Sequence, residues 1–171
     1  MHTRDDLNCR RGYEFWLIDQ AKQRNPNISI YALSWGVPFW IGNGTYFSSD
    51  NIGYQVQFCE CVRTSWGYDV DYIGIWNERS WGNADYVISL RESLDAAGFA
   101  NTKIILPDGG ADIPGAISRG TVNTTFRAAV HGIGVHYPCN DPQPTIQEEP
   151  LNWVYWASED SSTVADWAAR K

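Results

Sequence analysis

Between Asp71 and Arg79 the chain reads Asp-Tyr-Ile-Gly-Ile-Trp-Asn-Glu-Arg, an apolar run rich in β-branched and aromatic residues that stops on an amide, a carboxylate and a cation. The run predicts a buried strand. In a parallel α/β barrel the strands are buried on every side and the residues at their carboxyl ends face the ligand, so Asn77 and Glu78 are expected in the mouth of a site. One carboxylate there caps a helix or pairs with a neighbour such as Arg79 as readily as it does chemistry. A second one in an equivalent place changes the reading. Residues 153–158 are again apolar and lead into Glu159, and two carboxylates on two strand tips of one barrel make a glycosidase pair.

The rest of the chain supplies the alternation that such a sheet requires. Tyr13, Trp16, Leu17 and Ala21 recur at helical spacing up to the stop at Asn25-Pro26, and further helices are predicted over 51–66, 83–97, 112–120 and from Ser162 onward. Strands are predicted over 28–35, 70–76, 103–106, 131–137 and 153–158, with the Pro- and Gln-rich segment 139–149 as a loop. Helix and strand in turn imply parallel strands joined by right-handed crossovers. At 171 residues the chain is shorter than the roughly 250 that eight strand-helix units need, so the expected fold is α/β, a partial (β/α)₈ TIM barrel without a second domain. Both ends fall inside the alternating pattern, as in a piece of a larger barrel. Such a piece leaves strand edges unpaired and is expected to be poorly soluble and nearly inactive alone.

Composition excludes some partners. The formal charge is −7 and no Lys/Arg cluster occurs, so an electrostatic footprint for nucleic acid or an anionic membrane is missing. No apolar run is long enough to span a membrane, and the first residues do not open a signal peptide. Nine Trp and nine Tyr exceed what a small core uses; flat aromatic faces also line sugar sites. Cys9, Cys59, Cys61 and Cys139 lack zinc-ligand spacing and are expected as buried or unpaired thiols rather than a disulfide. Sequons at Asn27, Asn43 and Asn123 permit glycosylation in a secretory compartment.

Three further strand tips carry polar or aromatic residues. Residues 34–40 hold Trp35, Trp40 and Pro38 in a loop that serves either as a ligand platform or as a hydrophobic plug. Asp108, a third acid at a strand tip, is expected either to back the site residues from behind or to form the loop with Gly109 and Gly110, because Asp-Gly favours a turn. His136 could orient a carboxylate, bind a sugar hydroxyl, or be structural.

Taken together, these stretches resemble glycoside hydrolase family 59, the galactosylceramidases. The matching segments are residues 11–17, 21–28, 33–38 and 69–80, then His136-Tyr137-Pro138 and 158–162, in the family's order over nearly the whole chain. The resemblance implies that the strands are the third to seventh of eight, that Glu78 closes the fourth as acid/base and that Glu159 closes the seventh as nucleophile. It places Trp35 and Asn77 against galactose, with His136 and Tyr137 as further substrate-binding candidates. It implies no metal or organic cofactor, a galactosylceramide substrate, a lipid-presenting activator protein as a partner, and a lysosomal or secreted setting. The 139–150 loop departs from the family pattern.

A retaining mechanism asks for carboxyls about 5 to 5.5 Å apart, with Glu159 ionised and Glu78 protonated at the start. Asn77 and Glu78 would face opposite ways in a regular strand, so the strand end is expected to twist or bulge. The rivals are a retaining glycosidase of the same clan with another sugar, such as a glucosylceramidase-like enzyme, and a catalytically inactive carbohydrate-binding barrel.

Overall fold

A computed structural model of the chain describes residues 3–109, 112–137 and 151–159. In order these form α1 (Tyr13–Arg24), β1 (Tyr31–Leu33), α2 (Ser49–Cys61), β2 (Tyr72–Gly74), α3 (Ala84–Ala96), β3 (Lys103–Asp108), α4 (Ile113–Val122), α5 (Thr124–Ala129), β4 (Val130–His136) and β5 (Val154–Glu159). The five strands make one sheet in sequence order, every neighbouring pair parallel. The expected loop over 139–149, the helix from Ser162 and Cys139 lie outside the described residues.

The sheet is curled into a half-barrel, and ring contacts measure the curl. In a flat sheet β1 and β5, four spacings apart, would lie about 19 Å from each other. Instead the rings of Tyr31 on β1 and Trp156 on β5 approach to 4.9 Å between centroids, and Tyr72 on β2 meets Trp156 at 4.5 Å. Inward-facing aromatics thus bridge the concave side and fix how tightly the strands close.

The convex side is covered by helices. On α3 the positions Val87, Leu90 and Leu94 are fully buried, as their spacing predicted, and they join Ile73, Ile75, Ile104 and Leu106 of the sheet in one cluster. Asn83 caps α3 through its side chain, accepting from the Tyr86 amide, and Gly98 takes φ +81 just past its end. Short α5 was not foreseen; Asn123 ends α4 and caps α5 by accepting from the Phe126 amide, which starts a new helix where a loop was expected.

Helix α1 departs from the expected packing. Its stripe of Tyr13, Trp16 and Leu17 is exposed, while Phe15 and Ile18 pack on the core, Phe15 stacking on Phe58 at 5.1 Å. Leu17 and Ala21 border a cavity of about 790 Å³ between α1 and β1. Periodicity selected an apolar face but not the neighbour that face would meet.

The cysteines are also corrected. Cys9 and Cys61 form a disulfide, whereas Cys59 is a free, buried thiol. Cys59 and Cys61 point in different directions on α2, which frees Cys61 to reach the N-terminal segment. Burial pushes the Cys59 thiol up to about 12.

Closing a loop of 52 residues stabilises the fold by about 4 kcal/mol through lost chain entropy. Cys9→Ser is therefore expected to lower unfolding free energy by that order in urea titration. Non-reducing peptide mapping should recover Cys9 linked to Cys61, and native alkylation should leave Cys59 unmodified until the chain is unfolded.

Candidate active site

The carboxyl ends of the five strands converge at one level. Asn77 forms an isolated parallel bridge with Asp108, Asp108 registers with Gly134, and His136 registers with Glu159. The extended chain beyond β2 is tied on both sides, the Asn77 amide donating to the Ser34 carbonyl at 2.9 Å and the Glu78 amide to the Asp108 carbonyl at 3.0 Å. Behind it, Tyr46 stacks on Trp76 with rings 3.8 Å apart and donates its hydroxyl to the Ile75 carbonyl.

The regular pleat then breaks at the residue that matters. Glu78 adopts φ +51, a left-handed conformation uncommon for a residue with a side chain. This re-aims the carboxylate, so a buried Asn77 and a half-exposed Glu78 sit side by side at one strand end. Tyr137, just past β4, is likewise left-handed at φ +49, and its amide donates to the Glu159 carbonyl at 3.0 Å.

His136 stands at the centre of the cluster with its side chain 4% exposed. Its Nδ1 lies 3.2 Å from Glu78 Oε1 and 3.9 Å from Glu159 Oε2, and its Nε2 lies 3.1 Å from Asp108 Oδ2. Tyr137 donates its hydroxyl to Glu159 Oε1. Glu78, His136 and Glu159 each offer one atom within 4.8 Å of the others, close enough among the described residues to hold a cation as well as to share protons.

Asp108 takes the first of the two expected roles, backing the site from behind. Its side chain is fully buried, accepting from the Tyr31 hydroxyl at 2.9 Å on Oδ1 and facing His136 on Oδ2. Burial, then the Asp108 charge, pushes the Tyr31 phenol far above its ordinary range, so it remains a donor. Three glycines clear the space. A Cβ on Gly74 would come within 3.0 Å of Tyr31 Cζ, one on Gly134 within 2.5 Å of Asp108 Oδ1, and one on Gly109 within 2.8 Å of Glu78 Cγ and 2.9 Å of His136 Nδ1.

Of the residues singled out in the sequence, Glu78, His136, Tyr137 and Glu159 are therefore brought into one hydrogen-bonded group. Asn77 borders it through its backbone, with its amide oxygen buried and without a hydrogen-bond partner among the described residues. Trp35 lies beside it on the loop after β1, 73% exposed, its carbonyl accepting from the Trp76 indole at 3.4 Å. Tyr31 was not anticipated, because a tyrosine within a strand carries no signal until the curl of the sheet turns it toward Asp108.

A half-barrel of parallel strands with two carboxylates and a histidine at its carboxyl edge defines an α/β barrel of the glycosidase type. Comparison with known proteins goes further: residues 1–170 match the model of glycosyl hydrolase family 59, and the chain belongs to that family. It is 40% identical over 171 residues to galactocerebrosidase of Danio rerio, covering 97% of this chain and 25% of that protein. Identity to galactocerebrosidase of Homo sapiens is 37% over 173 residues, covering 96% and 24%. The chain thus spans about a quarter of the length of these curated relatives. Among solved structures, SrfJ from Salmonella typhimurium shares the fold, with a TM-score of 0.56 at 15% identity over 74% of this chain and 34% of that one.

Gly109 provides a local test of this geometry. A side chain there meets both a φ of +83 and the two site residues, so Gly109→Ala is expected to cost about 1–3 kcal/mol of stability, measured by urea unfolding. An exposed glycine with positive φ but open space around it, such as Gly44, should cost less when changed to alanine.

Proposed function

We propose that the chain carries the catalytic pair of a retaining β-galactosidase that hydrolyses galactosylceramide to galactose and ceramide. The observation that supports this reading best is the approach of Glu78 and Glu159, one oxygen of each within 4.8 Å, at the ends of β2 and β5. Retaining enzymes hold their carboxyls about 5–5.5 Å apart, whereas inverting enzymes leave about 6.5–9.5 Å for a water. The galactocerebrosidase relatives supply the sugar and the lipid class.

In the first half of the reaction Glu159 attacks the anomeric carbon while Glu78 gives its proton to the departing glycosidic oxygen, which leaves as ceramide. The Tyr137 hydroxyl on Glu159 Oε1 fixes the nucleophile's orientation and leaves its other oxygen for attack. In the second half Glu78, now ionised, takes a proton from water, and the resulting hydroxide displaces Glu159 to release galactose with its configuration kept. Asn77 hydrogen-bonds the sugar 2-hydroxyl, a contact that strengthens as positive charge develops on the ring. Trp35, exposed at the rim, offers a flat face to the sugar, and His136 orients the carboxylates.

Such a substrate carries a lipid tail, and a lipid-presenting activator protein is the partner that accompanies this reading. A lysosomal or secreted setting accompanies this reading, and the Cys9–Cys61 disulfide suits an oxidising route of synthesis.

Reaction of the completed barrel with a 2-deoxy-2-fluoro-β-galactosyl inactivator, followed by peptide mass spectrometry, is expected to tag Glu159. Glu78→Gln should lower turnover on the natural substrate by about 10²–10⁴-fold while sugar binding persists. A tag only with the gluco analogue would move the specificity to glucosides, and no tag with either sugar on folded protein would leave a binding barrel.

A further inference from the structure

Asp108 touches neither of the two carboxylates, yet the cluster is shaped around it. Its oxygens are each matched to one partner, Tyr31 on Oδ1 and His136 on Oδ2, and Gly74 and Gly134 leave it the room to lie fully buried. We propose that Asp108 is a positioning residue that pins the Nε2 proton of His136, leaving Nδ1 as the nitrogen that faces Glu78 and Glu159 and shares a proton with Glu78.

The argument is one of donors and acceptors. An ionised carboxylate only accepts, so the imidazole nitrogen 3.1 Å from Asp108 Oδ2 must carry its hydrogen. A neutral imidazole holds one hydrogen, which leaves Nδ1 with a lone pair 3.2 Å from Glu78 Oε1. A lone pair there accepts from a protonated Glu78; a second hydrogen there donates to an ionised one. Nδ1 therefore adapts to both states that the acid/base role demands of Glu78, while Nε2 stays fixed. Without Asp108 the single hydrogen could sit on either nitrogen.

The titratable groups around the imidazole are Asp108 on β3, Glu78 beyond β2, Glu159 at the end of β5, Tyr137 beyond β4, and Tyr31 on β1 acting through Asp108. No lysine or arginine pairs with any of these carboxylates among the described residues, and the imidazole faces all three, Glu78 and Glu159 on Nδ1 and Asp108 on Nε2.

The consequence for catalysis rests on the glycosidase reading, whereas the tautomer itself does not. The test is ¹⁵N magic-angle-spinning NMR of the chain labelled at histidine, which reads associated and monomeric samples alike. His136→Gln identifies the signal among the three histidines. In the wild-type chain the neutral form should show Nε2 protonated and Nδ1 bare. In Asp108→Asn the amide can present its NH₂ to Nε2, and the neutral-form hydrogen should move to Nδ1. Tyr31→Phe keeps the carboxylate and should keep the wild-type pattern.

An Nδ1–H tautomer in the wild-type chain would overturn the proposal, even if the variant failed to fold. So would an unchanged pattern in folded Asp108→Asn. Where the protein turns over a β-galactoside, Asp108→Asn should lower kcat at least about tenfold with little change in KM. An inverted tautomer with kcat unmoved would sever Asp108 from the chemistry; absence of turnover in the completed barrel with the expected tautomer would instead count against the glycosidase reading.

Discussion

A carboxylate taken wholly out of water has to be met by hydrogen-bond donors, and the donors that meet Asp108 come from the first and fourth strands of the sheet. Tyr31 can reach it only because the sheet is curled and because Gly74, on the strand between them, has no side chain in the way. His136 can reach it only because β4 registers beside β3 with Gly134 opposite Asp108. One buried group thus ties three strands at their carboxyl ends and sets the orientation of the imidazole on which the site turns.

The remainder of the fold serves that convergence. Parallel strands in sequence order bring successive tips to one edge, and the helices of the crossovers bury the opposite face. Inward-facing aromatics, Tyr31, Tyr72 and Trp156, bring the outer strands together, so that Glu78 on the second and Glu159 on the fifth come within 4.8 Å. The left-handed turn at Glu78 completes the arrangement; a pleat continued for one more residue would have aimed the carboxylate by strand parity alone.

Much of this was legible beforehand. The alternation of apolar strand and amphipathic helix fixed the fold class, and the apolar runs ending at Glu78 and Glu159 located both carboxylates. Helix α3 could be drawn from Val87, Leu90 and Leu94 because local periodicity and tertiary burial agree there. They disagree at α1, where the regular stripe of Tyr13, Trp16 and Leu17 remains exposed and Phe15 and Ile18 do the packing. The cysteine spacing likewise misled, since the partner of Cys61 lies 52 residues away. A second short helix was missed because Asn123 acts as end and beginning at once.

The sequence by itself determined the class of fold, the strand tips and the two carboxylates, because period, strand propensity and the switch from apolar to polar are local properties that neighbouring residues express together. Tertiary structure alone decided which of its two open roles Asp108 takes, by burying it between Tyr31 and His136, and it alone decided that Tyr31 belongs to the site and which nitrogen of His136 faces which acid. Those facts depend on how tightly the sheet curls and on where side chains are absent, at Gly74, Gly109 and Gly134. Such distances are set between strands far apart in the chain, and no segment read alone contains them.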